Sequence, residues 1–276
     1  MKVMVNGFPG NMARMVAETA LERGLELVPY SLTGEDIRDA FAEMPGHKIQ
    51  LLRPSQRENT IEVVLSAYPD LVAVDYTHPS AVNANAEFYV KHGIPFVMGT
   101  TGGDRAALQS TANHTKAPCV IAPNMAKQIV AFQAMMEYAA TQFPGVFSGY
   151  RLSVVESHQK TKADTSGTAK AVVSLLNRMG AGPLAEEQIE KVRQEPEQLT
   201  RMGVPQEFLG GHAFHTYALD SADSSVHFEF RHNVCGRKVY AQGTVDAVLF
   251  LGRMQEKHVP PRCYSMIDVL HSGAMG

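Results

Sequence analysis

Residues 156–169, with the sequence ESHQKTKADTSGTA, bring several ionisable side chains together within one short segment. The imidazole of His158 has an unperturbed pKa of about 6.5, so it can hold or release a proton near neutral pH. Lys160 and Lys162 add fixed positive charge beside it. These residue types in this spacing indicate a proton donor next to a site for an anion.

A helix start follows directly at Ser166. This serine can cap a helix with apolar residues at helical spacing, which would leave the amides of Gly167 and Thr168 open to a carboxylate. Each feature alone is typical of ordinary capping or of a solvated surface, and their combination favours catalysis on a small anionic substrate.

The segment needs a strand before it and a helix after it to hold its side chains in place. Residues 150–155 alternate and then become apolar, which predicts a strand that ends at this segment. Active sites of α/β proteins favour such strand ends.

The first 32 residues show the pattern of a βαβ unit, with a strand, a glycine-rich turn, a helix and a second strand. This pattern predicts a dinucleotide-binding domain in which the phosphates lie at the helix N-terminus. The strict G-x-G-x-x-G motif is absent because Pro9 stands in place of the middle glycine, so plain helix–strand packing is the alternative. The turn residues predicted to bind the cofactor are Gly7, Phe8, Pro9, Gly10, Asn11 and Met12.

The end of the second strand indicates which cofactor is used. It reads YSLTG at 30–34, without the carboxylate that normally binds the ribose hydroxyls of NADH. The hydroxyls of Ser31 and Thr33 could donate hydrogen bonds to a ribose 2′-phosphate. We therefore expect NADPH to be preferred, with NADH also possible. The segment 30–34 itself contains no arginine that could pair with this phosphate.

Two later loops are also candidate cofactor contacts. Further strands are predicted at 48–52, 71–75, 95–98 and 118–121, separated by helical stretches, which favours a parallel, doubly wound sheet. Ligands bind beyond the carboxyl ends of such strands, although turn residues there are also ordinary loop chemistry. The candidate residues are Gly99, Thr100 and Thr101 in one loop and Pro123, Asn124 and Met125 in the other.

Composition sets broad bounds on the function. The chain has 276 residues, 45% hydrophobic, with a net charge of −3, which suits about two globular domains and argues against nucleic-acid or anionic-membrane partners. Three scattered cysteines predict reduced thiols, and the chain passes from Met1 straight into an apolar strand. We therefore expect a cytoplasmic protein without a membrane span. No metal site is expected, because the histidines lack tight spacing.

With these motifs, the chain resembles the dihydrodipicolinate reductases, also called 4-hydroxy-tetrahydrodipicolinate reductases, over nearly its whole length. The signature runs from Glu156 to Ala169, and GTTG at 99–102 and the glycine-rich turn support it. Gln159 stands where the usual bacterial pattern has a second histidine, and the loop PNMAKQ also departs from it. These variants resemble the plant-type branch.

The resemblance implies NAD(P)H-dependent reduction of 4-hydroxy-tetrahydrodipicolinate, via dihydrodipicolinate, to tetrahydrodipicolinate in the diaminopimelate route to lysine. It implies that His158 is the general acid and that Lys162 assists it as a cation. Another NADPH-dependent reductase of aspartate-family metabolism and a non-catalytic dinucleotide sensor are the alternatives. The residues implied to bind the dicarboxylate substrate are Gln159, Ser166, Gly167, Thr168 and Arg237.

The rest of the chain predicts a second domain. Residues 212–235 read as two long strands around a polar turn, and 241–252 read as a buried helix. We expect a Rossmann-like parallel-sheet domain from 1–127 and 241–276, and an α+β substrate and oligomerisation domain with a mostly antiparallel or mixed sheet from 128–240. The exposed strand faces and the family resemblance imply a homotetramer, with a dimer as the alternative.

Overall fold

The computed structural model describes residues 1–273, which form two compact units. Unit 1 comprises 1–127 and the described residues from 238 onward, and unit 2 comprises 128–237. The second crossing falls where a long helix begins, a few residues before the expected boundary at 240.

The elements are given in chain order. The strands are β1 (Lys2–Asn6), β2 (Glu26–Leu27), β3 (Tyr30–Leu32), β4 (Phe41–Met44), β5 (His47–Leu52), β6 (Leu71–Asp75), β7 (Phe96–Met98), β8 (Cys119–Ile121), β9 (Arg151–His158), β10 (Glu190–Val192), β11 (His212–Asp220), β12 (His227–Cys235) and β13 (Cys263–Tyr264). The α-helices are α1 (Asn11–Glu22), α2 (Pro54–Ala67), α3 (Val82–Lys91), α4 (Arg105–Asn113), α5 (Lys127–Gln142), α6 (Gly167–Arg178), α7 (Glu195–Thr200), α8 (Lys238–Glu256) and α9 (Met266–His271).

Unit 1 is built on a parallel sheet with strand order β13-β8-β7-β6-β1-β2. Its central strands are continuously apolar and buried, as strands covered on both faces must be. The expected Rossmann-like sheet is confirmed. A three-stranded sheet, β3-β5-β4, is an addition that the alternation of strands and helices did not predict.

Unit 2 carries a mixed four-stranded sheet with strand order β10-β9-β11-β12. β9 pairs antiparallel with β11, which pairs antiparallel with β12, while the short β10 runs parallel to β9. The amphipathic helix α6 buries its apolar side in a core shared with β9 and β11. The expected second α+β domain with a mixed sheet is therefore confirmed, and the helix expected at 241–252 is found within α8.

Within residues 1–273, no helix is long and apolar enough to cross a lipid bilayer.

Candidate active site

The register between β9 and β11 brings three ionisable side chains together in unit 2. Glu156 is the cross-strand partner of His215, and His158 lies two residues further along β9, on the same face of the sheet. The Nε2 atoms of His158 and His215 are 3.4 Å apart, and Glu156 Oε2 lies 3.8 Å from His215 Nε2. All three side chains are buried, and His158 itself is 7% exposed.

An arginine after β10 holds this cluster to the loop that follows β9. Arg193 forms an ion pair with Glu156 at 2.5 Å and donates from Nε to the carbonyl of Lys162 at 2.8 Å. The other carboxylate oxygen of Glu156 accepts the amide of Ser166 at 3.0 Å. The buried ion pair between Arg193 and Glu156 therefore holds the loop 159–165 at the Lys162 carbonyl and holds the start of α6 at the Ser166 amide.

The surroundings of His158 oppose its protonation in the free protein. Burial, together with the positive charges of Arg193 and Lys162, lowers the pKa of His158 to about 3. The pKa values of His212 and His215 are also lowered, in both cases mainly by burial. His158 is thus a neutral imidazole near pH 7.

Lys162 lies in the same loop, where its amide donates to the Gln159 carbonyl at 2.9 Å. Its ammonium group contacts both carboxylate oxygens of Asp164 at 2.8 Å, and this pairing lowers the pKa of Asp164. The Lys162 side chain is 23% exposed, whereas Asp164 is largely exposed. An ammonium group on an exposed carboxylate can exchange it for a substrate carboxylate at little cost.

The remaining predicted substrate residues take different positions. Ser166 is buried at the cap of α6, and Gly167 is exposed in the first turn, where helix geometry provides no intrahelical acceptor for its amide. Thr168 and Gln159 are partly exposed in the same region. Arg237 lies against Gly211, the residue immediately before β11. A Cβ added at Gly211 would be 3.3 Å from Arg237 Nη1.

Sequence patterns alone missed four residues of this site. The sequence pattern favours structural or interfacial roles for His212 and His215, yet His215 contacts His158, and His212 Nε2 lies 2.8 Å from Ser157 Oγ. Gln198 donates to the His158 carbonyl at 2.7 Å, and Arg193 joins Glu156. The only available signal was charge balance, since a buried Glu156 requires a cationic partner.

The three donors Glu156, His158 and His215 have ligand atoms within 4.8 Å of one another, close enough for a metal ion. Both oxygens of Glu156 already have partners, and one partner is the guanidinium of Arg193. A fixed positive charge at that distance opposes a divalent cation. The arrangement therefore fits a cluster that handles protons.

In unit 1, the glycine-rich turn has the geometry of a phosphate-binding turn. Gly7 has φ +110°, and a Cβ there would lie 2.2 Å from the Tyr76 carbonyl oxygen, so only glycine fits. Gly10 precedes α1, and its amide donates to the Gly7 carbonyl at 2.8 Å. Pro9, Gly10 and Asn11 are exposed at the start of α1, where amides are available to an anion.

The two predicted phosphate-binding hydroxyls stabilise this turn. Ser31 Oγ accepts the Phe8 amide at 3.2 Å, and Thr33 Oγ1 donates to the Phe8 carbonyl at 2.8 Å. Both side chains are buried. A positive charge that the sequence pattern did not assign lies nearby in the fold, because Arg53 donates to the carbonyls of Ile37 and Arg38 in the loop after β3.

Asp75 organises the two loops beyond β6 and β7. It is fully buried and accepts hydrogen bonds from Thr77, Thr100 and Tyr89, the last two at 2.7 Å. The predicted cofactor residue Thr100 is therefore committed to Asp75, while Thr101 is exposed. A Cβ at Gly99 would lie 2.4 Å from the ring of Tyr76, so that glycine allows close packing.

The third loop holds the other predicted cofactor residues. Pro123 is exposed, and Asn124 Oδ1 accepts the amide of Ala126 at 2.8 Å. Met125 is 2% exposed, so its side chain is packed inside the protein rather than presented to a ligand.

Comparison with protein families matches both parts of the chain. The model described as "Dihydrodipicolinate reductase, N-terminus" matches residues 1–125. The model described as "Dihydrodipicolinate reductase, C-terminus" matches residues 128–270. Together they cover both units.

Similar proteins agree with these matches. A probable 4-hydroxy-tetrahydrodipicolinate reductase 1 of Oryza sativa subsp. japonica, named chloroplastic, is 50% identical over 273 residues, covering 99% of this chain and 79% of its own. The chloroplastic reductase 2 of Arabidopsis thaliana is 49% identical, covering 99% and 78%. A solved dipicolinate-bound dihydrodipicolinate reductase from Paenisporosarcina sp. TG-14 has a TM-score of 0.66 at 19% identity, covering 96% and 97%, and shows the shared fold.

The plant relatives correct the expected localisation. Four similar proteins, two from rice and two from Arabidopsis thaliana, are named chloroplastic, which points to a plastid and contradicts the expected cytoplasm. Reduced thiols and a mild net charge fit any reducing compartment, so these observations did not distinguish the two locations.

Proposed function

The chain belongs to the dihydrodipicolinate reductase family, and from that premise we propose how its residues carry out the reduction of 4-hydroxy-tetrahydrodipicolinate. It is an NAD(P)H-dependent oxidoreductase of lysine biosynthesis. The observation that carries the residue assignment is the buried, neutral His158 beside a cationic loop and the exposed start of α6.

The α6 start and its loop are proposed to bind the two carboxylates of the substrate. The amides of Gly167 and Thr168 lie at the positive end of a helix dipole, and Lys162 can leave Asp164 for a substrate carboxylate. Gln159 can donate an amide hydrogen bond without titrating. Arg237 is assigned to the second carboxylate, as the resemblance implies.

His158 is proposed to supply the proton of the reaction. Loss of water from the hydroxylated ring gives a conjugated imine, to which a reduced nicotinamide, when bound, would supply hydride at a ring carbon. Electrons displaced along the conjugated system then form a bond to the proton of His158. The two substrate carboxylates offset the charges of Arg193 and Lys162, which allows His158 to become an imidazolium before this step.

Replacement of His158 by Gln tests this assignment. We expect turnover to fall about 10²–10⁴-fold, because general acid catalysis is lost. NADPH oxidation is followed by near-ultraviolet absorbance, with substrate made in place from pyruvate and aspartate semialdehyde by the preceding synthase. Nucleotide binding by the variant, measured by fluorescence, serves as the control and should match the parent.

The two outcomes separate the competing functions. Parental turnover in His158→Gln contradicts the general-acid role. Absence of turnover in the parent itself contradicts the reductase and favours a sensor or a different imine substrate.

For the cofactor, we propose that NADPH is preferred over NADH. The loop after β3 lacks a carboxylate directly at the strand end, and Arg53 provides positive charge against that loop. Arg53→Gln should lower kcat/KM for NADPH about tenfold or more and leave the value for NADH nearly unchanged. A tenfold preference of the parent for NADH, or equal losses with both cofactors, contradicts the proposal.

We also propose self-association, as a homotetramer or alternatively a dimer. β12 is an edge strand of nine residues that pairs with β11, and its side chains are largely exposed. Phe228, on this strand, is 43% exposed. A long edge strand with an exposed aromatic side chain is typically covered by a second chain.

A further inference from the structure

We propose that His215 is a positioning residue for the proton donor, sharing the catalytic proton with His158. The inference rests on the proposed reaction and concerns a residue that the motif does not contain. A proton taken up from solvent when the dicarboxylate binds is shared between the two Nε2 atoms, so that His158 becomes an imidazolium with N–H groups at Nε2 and Nδ1. His158 then releases the Nδ1 proton to the substrate and keeps the one that it shares with His215. Both imidazoles are then neutral again, so one proton enters and one is delivered per turnover.

The geometry supports this sharing. The two Nε2 atoms face each other at 3.4 Å, with the rings nearly perpendicular at 74°. In the neutral state one ring donates its N–H and the other accepts. When the pair carries an additional proton, the contact becomes a charge-assisted hydrogen bond, which is shorter and stronger.

Charged groups of both signs surround the two imidazoles. From β9 the pair faces Glu156, whose carboxylate lies 3.8 Å from His215 Nε2, and from outside the strand it faces Arg193 and Lys162. His212 of β11 and His232 of β12 complete the surroundings. Arg193 and Lys162 lower the pKa of both imidazoles although Glu156 is paired with Arg193, so the arriving substrate dianion determines whether the pair is protonated.

A second observation is that the pair is held tightly on its other sides. Gln198 fixes the His158 carbonyl, and His215 is 2% exposed with its ring parallel to that of Tyr217, at an interplanar angle of 4°. Burial among these neighbours limits rotation of the two rings and keeps their Nε2 atoms facing each other.

His215→Phe and His215→Asn test the inference through the pH dependence of kcat. Phe keeps a ring without nitrogen, so protonated His158 loses its acceptor and its pKa falls. The alkaline limb of kcat should then move down by about one pH unit, with kcat at pH 8 about tenfold lower and KM for NADPH nearly unchanged. Asn keeps a hydrogen-bonding oxygen and should recover part of the loss.

His232→Phe is the matched control. Its ring lies 4.6 Å from that of His215, centroid to centroid, and neither of its ring nitrogens has a hydrogen-bond partner within residues 1–273. Because the imidazole of His232 lowers the pKa of His215, its removal should leave the alkaline limb in place or move it to higher pH, opposite in sign to His215→Phe. If His215→Phe lowers kcat by the same factor at every pH, or if His232→Phe shifts the limb equally, the positioning role is overturned.

A measurement on the unaltered protein covers the case in which His215→Phe does not fold. With dipicolinate bound, ¹⁵N signals of the His158 and His215 imidazoles should titrate together with common apparent pKa values. Signals of His215 that stay constant while His158 titrates overturn the inference. This result is independent of turnover, so failure of the reductase assignment would be recognised separately.

Discussion

At the scale of single residues, the proposed binding of a dicarboxylate beside His158 implies that substrate binding is linked to proton uptake. Burial and two neighbouring cations keep the free imidazole neutral, with a pKa of about 3. A bound dianion raises that pKa, so binding and protonation favour each other. The sign is definite, because a complex that holds one more proton than its components becomes tighter as the pH falls.

We expect the affinity for dipicolinate to rise as the pH is lowered from about 8 to about 6, approaching about tenfold per unit of pH below the pKa that His158 has in the complex. The carboxylates of dipicolinate remain ionised over this range, so the protein is the source of the effect. Isothermal titration calorimetry in buffers of different ionisation enthalpy measures the proton uptake directly.

His158→Gln is the control for that titration, because the amide cannot take up the proton. Its affinity for dipicolinate should be nearly independent of pH. A parent whose affinity does not change with pH, or a variant that keeps the full dependence, would contradict the linkage.

Single residues also show how far sequence reasoning reaches. His158, Lys162 and the helix start at Ser166 are neighbours in the chain, so their spacing alone indicates chemistry. Arg193 and His215 are brought to them by strand pairing, and Arg193 neutralises a glutamate 37 positions away. No local pattern encodes such contacts, which depend on the register between β9 and β11 and on the parallel pairing of β10 with β9.

At the scale of elements, two glycines of α8 differ in what packs against them: backbone at Gly243 and a flexible side chain at Gly252. A Cβ at Gly243 would lie 1.7 Å from the carbonyl oxygen of Met125, so the loop 122–126 packs directly on the helix backbone. A Cβ at Gly252 would lie 2.1 Å from the terminal methyl of Met1, which is the end of a flexible side chain. Backbone cannot move aside, whereas a thioether can.

We expect Gly243→Ala to lower the free energy of unfolding by about 1–3 kcal/mol, although alanine is intrinsically the better helix former. Gly252→Ala, in the same helix, should be neutral or stabilising by up to about 1 kcal/mol. Urea denaturation followed by circular dichroism measures both. Equal effects of the two substitutions would contradict the close approach at Gly243.

The length of an element decides whether the sequence pattern predicts it. The strands at 71–75 and at 212–235 are clear from their apolar content or alternation, and the structure confirms them. The sequence of 180–211 shows only a high content of glycine, proline and glutamate, yet the segment contains β10 and α7. A strand of three residues and a helix of six are too short to show a period, and tertiary packing stabilises them.

At the scale of the whole molecule, the open edge of β12 predicts the mass in solution. One chain has a mass of 30.1 kDa, so light scattering should give four times that value, or twice that value for the alternative dimer. Phe228→Lys places a charge on the exposed edge strand and should lower the mass. Val63→Lys, at an exposed position of α2, is the matched control and should leave the mass unchanged. A monomeric parent at working concentrations contradicts the proposal.

The order in which the ribosome makes the strands of unit 1 differs from their order in the sheet. The outer neighbour of β8 is β13, which is synthesised about 140 residues later. At about 5–20 residues per second, the edge of β8 waits roughly 7–30 s for its partner. Unit 2 is one continuous stretch of chain, so all of its strands emerge during that interval. All strands of unit 2 are therefore synthesised before the sheet of unit 1 receives its last strand, and until then the edge of β8 is open to pairing with other chains.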